Sequence, residues 1–397
     1  MRISSNGMYM QSLQAMLQRQ TELARTSEQM SSGVKFSRAG QDPAGATAAQ
    51  RLDHTLASLT QHESNAGHAQ RRLELQEHAL TAAGDQLGRA RDLVIRANTP
   101  TLSDQDRKLI AVEIRQIRGE MIDIANRQDG AGRALFAGTR DGVVPFTDNA
   151  GSVGYAGNDG RNEIEVAPGL LVADSDPGSA LFMRMPTGDG IVRASAGAAN
   201  TGSGVLGSAG VVDHAAWNGS GITVEFTAAD QYRVLDGAGT EIATGTWEAG
   251  QSISAGGVQM KISGAPAAGD SFSLAPSGER DVFATLDAIA DALEAPGANP
   301  AADARRTNLL NGALGDLSSG QEHLLAARAG TGARLSTLDN AAESRESTAL
   351  SIESTLSDLR DTDYAEAATR FAQQLTALEA AQQVTVRLQG LSLFNKL

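Results

Sequence analysis

An α+β multidomain fold is predicted: a long antiparallel α-helical coiled-coil bundle formed by both termini, with an antiparallel β-rich module inserted between them. Three observations predict it. From Leu310 an alternating step of four and three residues passes through Leu314, Leu317, Leu324, Leu335, Leu338, Ile352, Leu356 and Leu359 without slipping, the spacing of a helix packed along a coiled-coil seam. Near the other end, Leu52, Leu59, Ala66, Leu73, Leu80, Leu87 and Val94 recur every seven residues. Between Gly130 and Gly278 lie 28 of the 43 glycines and both tryptophans, a texture in which strands and turns replace any helical period.

Composition narrows the function classes. A length of 397 residues leaves room for two or three domains and a sizeable core. The absence of cysteine rules out a disulfide framework and a thiolate metal site. A net charge of −14 argues against a general nucleic-acid binder. No apolar run approaches the ~20 residues of a membrane span, and Met1 to Met10 lacks the apolar core of a cleaved secretory signal. No membrane insertion and no signal peptide are therefore expected.

The first helix carries Tyr9, Leu13, Met16, Leu23, Met30 and Val34 on one stripe, with Gln20 and Ser27 filling the gaps, and ends near Ser32-Gly33. Asp42 and Pro43 read as cap and first turn of a second helix of about 55 residues, stopped at Thr99-Pro100. Ser103 with Asp106 marks a third helix along Ile110, Ile114, Ile117, Met121 and Ile124. Period-two runs follow at Ile164-Val166, Ile222-Val224-Phe226, Tyr232-Val234, Val258-Met260-Ile262 and Phe272-Leu274, with Gly188 to Gly210 read as a linker or exposed loop. Helix returns at Phe283, Leu286, Ile289 and Leu293, breaks at Pro296 to Pro300, and becomes the long helix. A last seam runs through Tyr364, Ala368, Phe371, Leu375, Leu378, Ala381, Val384, Leu388 and Leu391, with a stammer between Leu378 and Val384. Three domains are expected: 1–40 with 360–397 as terminal helices, 41–136 with 281–359 as the long-helix bundle, and 137–280 as the β-module at one end of it.

Chemical motifs are weak. His54, His62, His68 and His78 share a helix but no pair stands at the three- or four-residue spacing that shares a metal. Gly202, Gly204 and Gly207 spell a dinucleotide-binding loop but neither follow an apolar strand nor open a helix. Asn218-Gly219-Ser220 reads as a turn rather than a glycosylation site. Gln321, Arg328 and Arg345 interrupt the long seam, where their stems can cover it while their heads reach water. Gly330 and Gly332 either break that helix or admit a close neighbour. No metal, no cofactor and no catalytic group are expected.

Several segments resemble the flagellin-like family. They are Met1-Arg2-Ile3-Ser4, Ser31-Ser32-Gly33, Asp42-Pro43-Ala44, Gly330 to Leu335, Leu338-Asp339, and the tail from Ala377 to Gln382 ending in Leu391-Ser392-Leu393-Phe394 and Leu397. Leu135 to Thr139, Pro145-Phe146 and Tyr155-Ala156-Gly157 look like the entry into a β-module that flagellin lacks, and Gly250 to Phe272 resembles a module shared among hook-associated proteins. The resemblance implies a non-enzymatic structural subunit joining flagellar hook to filament. It implies export through the flagellar type III apparatus and self-assembly as a ring. Its partners would be a neighbouring hook-associated protein, flagellin or the adjoining junction protein, and a cytoplasmic chaperone. The expected assembly interface is Leu13, Met16, Leu23, Met30, Phe371, Leu375, Leu378, Leu388, Leu391, Leu393, Phe394 and Leu397, on nearly charge-free helices expected to order on assembly. A filament subunit proper is the alternative, and a coiled-coil surface adhesin a more distant one.

Overall fold

The computed structural model describes residues 5–149, 151–297 and 299–394, leaving aside the side chains of residues 5, 6, 8, 9 and 388–394. Its helices are α1 (Ser5–Ser32), α2 (Pro43–Ala97), α3 (Asp104–Ala125), α4 (Val282–Glu294), α5 (Pro300–Arg360) and α6 (Tyr364–Phe394). Their ends follow local chemistry. Gly33 takes φ +76° past α1, where a side chain would be strained. Asp42 accepts from the Gly45 amide at 2.9 Å, and Ser103 accepts from Asp106 at 3.2 Å, so both helix starts have a capping oxygen. Asp281 caps α4 in the same way through Ala284, at 2.6 Å.

The chain forms two compact units, Met1–Ser64 with Ala341–Leu397, and Asn65–Asn340. These are drawn differently from the three domains expected from composition. In α2 the seven-residue series is buried from Leu59 to Val94, with Leu52 half-buried. The α5 frame holds through Leu310, Leu317, Leu324, Thr331, Leu338 and Leu356, with one shift: Ala341 is buried and Ala342 exposed. Helix α5 runs unbroken past Gly330 and Gly332, and a Cβ at either would meet nothing within 4 Å. Neither a break nor a close neighbour explains these glycines among the described residues.

Within the second unit the β-residues divide. The hairpin β1 (Phe146–Asp148) and β2 (Val153–Tyr155) pairs antiparallel beside a π-turn at Ser179–Met183. Phe146 there meets Phe182, Tyr155 and Phe283 at ring distances of 5.7, 5.0 and 5.7 Å. These rings share one core with α2, α3, α4 and α5, so this part of the predicted β-module is bundle core. The hairpin β3 (Glu163–Ala167) and β4 (Leu170–Ala173) joins Leu73 and Leu338 through Val166 and Val172. A short pair, β5 (Met185–Pro186) with β14 (Glu279–Arg280), closes the neck.

Beyond that neck stands a second core. One sheet contains, in chain order, β6 (Val192–Ala196), β8 (Ile222–Ala228), β9 (Gln231–Asp236), β10 (Glu241–Thr246) and β13 (Ser271–Pro276), arranged β10-β9-β8-β13-β6. The other has β7 (Val205–Val211), β11 (Ser252–Ala255) and β12 (Val258–Ser263), arranged β11-β12-β7. Their inward residues alternate and bury Phe226, Trp247 and Phe272, with ring distances of 5.3 and 6.0 Å. The linker expected at Gly188 to Gly210 is thus corrected. Its small residues form β6 and β7, with Ala194 paired to Leu274 and Leu206 to Ile262. Glycine and alanine hid the period by leaving little apolar contrast.

Helix α5 closes this sheet edge. Asn308 accepts from the Leu206 amide at 2.7 Å and donates to Gly204, while Asn311 donates to the Leu206 carbonyl at 3.1 Å. An edge strand's free groups are a liability unless covered. Buried Asp316 accepts from the Gly188 amide at 2.8 Å and from Arg193 at 2.9–3.3 Å.

Candidate assembly interface

Helices α1 and α6 lie in the first unit and pack on each other. Their linkers are stitched together. Val34 pairs antiparallel with Asp361, the Lys35 amide donates to Arg360 at 2.6 Å, and the Thr362 amide donates to Gly33 at 2.8 Å. Asp363 then caps α6, accepting from Ala365 and Glu366 at 2.9 and 3.1 Å. Arg360 forms an ion pair with Asp53 of α2.

The seam between these helices is smaller and more polar than expected. On α6 Ala367, Phe371, Gln374, Leu378, Ala381 and Thr385 turn inward on a regular four-three step without a stammer, with Ala377 half-buried beside them. Tyr364, Ala368, Leu375 and Val384, placed on the seam by the sequence, are exposed. The Thr26 hydroxyl, 3 % exposed, donates to the side-chain Oε1 of Gln374 at 2.8 Å. Gln374 and Thr385 were missed because an apolar stripe was sought. The signal was there in two exact seven-residue sets, Ala367-Gln374-Ala381 and Phe371-Leu378-Thr385.

The candidate interface residues therefore divide. Leu13, Met16, Leu23, Met30 and Phe371 are half-buried, Leu378 is buried, and Leu375 is 41 % exposed. Leu388, Leu391, Leu393 and Phe394 lie on the α6 backbone, but their side chains, like all of Leu397, lie outside the described residues. Val384 and Val386 are exposed on α6, and Met10 and Leu17 on α1. The pair thus retains an outer apolar surface after forming its seam, in helices that carry four charged side chains each, Arg19, Glu22, Arg25 and Glu28 on α1 and Glu366, Arg370, Glu379 and Arg387 on α6.

Other sequence signals resolve into ordinary structure. The Gly202 and Thr201 amides donate to Asp270, at 2.8 Å for Thr201, and the loop leads into β7. A Cβ on Gly202 would lie 2.4 Å from the Ala267 nitrogen, so the glycine answers crowding by backbone rather than a phosphate. Asn218 accepts from Ser220 at 3.0 Å in a turn with Gly219 at φ +79°. Arg328 donates to Glu77 of α2 at 2.8 Å. No group of three potential metal ligands occurs among the described residues.

Residues 3–141 match the bacterial flagellin N-terminal helical region, and residues 318–397 match the bacterial flagellin C-terminal helical region. The FlgL of Xanthomonas campestris, known from a crystal structure, is 44 % identical with a TM-score of 0.73, the match covering 77 % of this chain and 99 % of that one. The chain belongs to the FlgL family. A second FlgL-type structure, the flagellar hook associated protein-3 of Legionella pneumophila, is 28 % identical with a TM-score of 0.73 over 78 % of this chain and 98 % of that one. The flagellar hook-associated protein 3 of Salmonella typhimurium is 32 % identical over 159 residues, 40 % of this chain and 50 % of its own. The chain spans about half the length of the curated relatives it matches. The two flagellin regions leave residues 142–317 outside, and the FlgL likeness extends into them.

Proposed function

We propose that this chain is a structural, non-catalytic subunit of the bacterial flagellum that joins the hook to the filament. The observation that carries the reading is the unspent apolar surface of α1 and α6, with Leu375, Val384 and Val386 exposed, in a chain of the FlgL family. A helix pair with such a surface gains by packing against copies of itself, at roughly 25 cal/mol per Å2 of apolar area covered. The half-buried Leu13, Met16, Leu23, Met30 and Phe371 then complete their burial between neighbours, joined by Leu388, Leu391, Leu393, Phe394 and Leu397. Ordering of these helices accompanies assembly, and a chaperone holds α6 before export through the flagellar type III apparatus. Residues 1–40 with 360–397 act as the inner assembly segment and 41–136 with 281–359 as the bundle, while 137–280 supplies both the rings around Phe146 and Phe182 that complete the bundle core and, from β6 to β13, the outer β-module. The neighbours are a hook-associated protein on the hook side and flagellin or another junction protein beyond.

Deleting the gene tests this. Cells should carry hooks without filaments and release flagellin into the medium, and immunogold label on wild-type cells should form one band at the hook–filament boundary. Label along the whole filament would establish the filament-subunit alternative instead.

A further inference from the structure

The loop between β7 and β8 carries Asn218-Gly219-Ser220, with Asn218 and Gly219 both exposed. The Asn218 Oδ1 accepts two hydrogen bonds from Ser220, from the amide at 3.0 Å and from the hydroxyl at 2.7 Å. Both donors draw electron density from Cγ, and the turn they close bends the carboxamide back over the next peptide group. Among the described residues no acceptor meets Nδ2, so nothing holds the group that would leave. The Gly219 amide lies outside helix and strand and donates no hydrogen bond among the described residues. Gly219 takes φ +79°, and a Cβ there would meet nothing within 4 Å. Neither a side chain of its own nor a neighbour hinders movement of that peptide group.

The same dipeptide at Asn311-Gly312 is locked. The Asn311 Nδ2 donates to the Leu206 carbonyl at 3.1 Å, and its Oδ1 accepts from Asn98 at 2.9 Å. The Gly312 amide lies inside α5, where the helix ladder occupies its proton.

We propose that Asn218 is a site of self-modification by water. The Gly219 amide nitrogen, having lost its proton to solvent, attacks Cγ and closes a succinimide ring. As the Cγ–Nδ2 bond breaks, the proton returns through solvent to Nδ2, which leaves as ammonia. Water then opens the ring at either carbonyl, giving aspartate or, with the chain rerouted through the β-carbon, isoaspartate. One water enters and one ammonia leaves, with no oxidant or reductant. Each event adds a negative charge to this turn, so the residue records the age of the subunit. This chemistry is independent of the role in the flagellum.

Full-length folded protein would be incubated at neutral and at mildly alkaline pH in water enriched in heavy oxygen. Its peptides would then be read by mass spectrometry with fragmentation that separates aspartate from isoaspartate. The Asn218 peptide should convert with heavy oxygen incorporated, faster at the higher pH, and with isoaspartate in excess. Asn311 should convert only once the chain is unfolded in urea. Gly219→Ala, with circular dichroism matching the parent, should slow conversion at Asn218 about tenfold or more, because its Cβ crowds the attacking amide. A folded chain that keeps Asn218 amidated as long as Asn311, aspartate formed without isoaspartate, or an unchanged rate in Gly219→Ala would each overturn the proposal.

Discussion

Arg118 shows how a single side chain is held by opposing effects. It donates to Asp148 at 2.6 and 3.0 Å and to Asp287 at 2.7 Å, tying β1 and α4 to α3. Its hydrogen bonds hold the Asp148 carboxyl below the usual range, whereas burial lifts Asp287 above it despite the same partner. The depressed Asp148 contributes stability that is full above its unfolded value of ~3.9 and is lost as pH falls through its lower folded value. Asp287 runs the other way, its ionisation removing stability as pH rises through its folded value. Asp148→Asn should therefore be less stable than the parent at pH 7 in urea unfolding, with the difference closing as pH drops below about 4. A gap that stays constant down to pH 2 would show that Asp148 acts by shape alone. Little of this was legible beforehand, since Arg118 and Asp287 are 169 positions apart. Pairs set by tertiary placement leave no local spacing to read.

At the scale of elements, the long helices were legible because strict repeats of Leu and Ala can be satisfied only by a buried stripe. Leu73, Leu324 and Leu338 are buried to within 2 % and Leu59 to 9 %, while His54, His68 and His78 are exposed. Each of these leucines changed to Ala should cost about 2–5 kcal/mol in chemical denaturation, against about 0.5 kcal/mol or less for His54→Ala. Comparable losses at His54 and Leu59 would put the helical phase in error. On the terminal seam Phe371, Leu378 and Ala381 stand where the sequence places them, whereas polar Gln374 and Thr385 take the places expected for Leu375 and Val384. The strands β6 and β7 were missed for the opposite reason: Gly, Ala and Ser carry no contrast between faces. Their buried Val192 and Leu206 join the core of the two sheets, while α5 covers their edges through Asn308, Asn311 and Asp316, and only the folded chain brings those side chains to the strand edge.

At the scale of the molecule, the same contacts limit how freely the outer sheets can be removed. Deleting Gly188 to Ser277 takes away Arg193 and the Gly188 amide and leaves Asp316 with Arg280 at 3.9 Å. Stranding a buried charged group costs about 1–3 kcal/mol or more. The shortened chain should stay helical yet melt earlier, and Asp316→Asn in the same deletion should recover part of the loss. No recovery would mean that the sheets support the bundle by packing and not through this carboxylate. The central claim is that the outer stripe of α6 exists for neighbouring subunits. Its most direct test is Leu375→Glu with Val384→Glu, two exposed positions where charge costs an isolated chain about 0.5 kcal/mol or less each. The purified variant should melt as the parent does, while cells relying on it should leave hooks bare and release flagellin. Normal swimming, or a purified variant that no longer folds, would contradict the account.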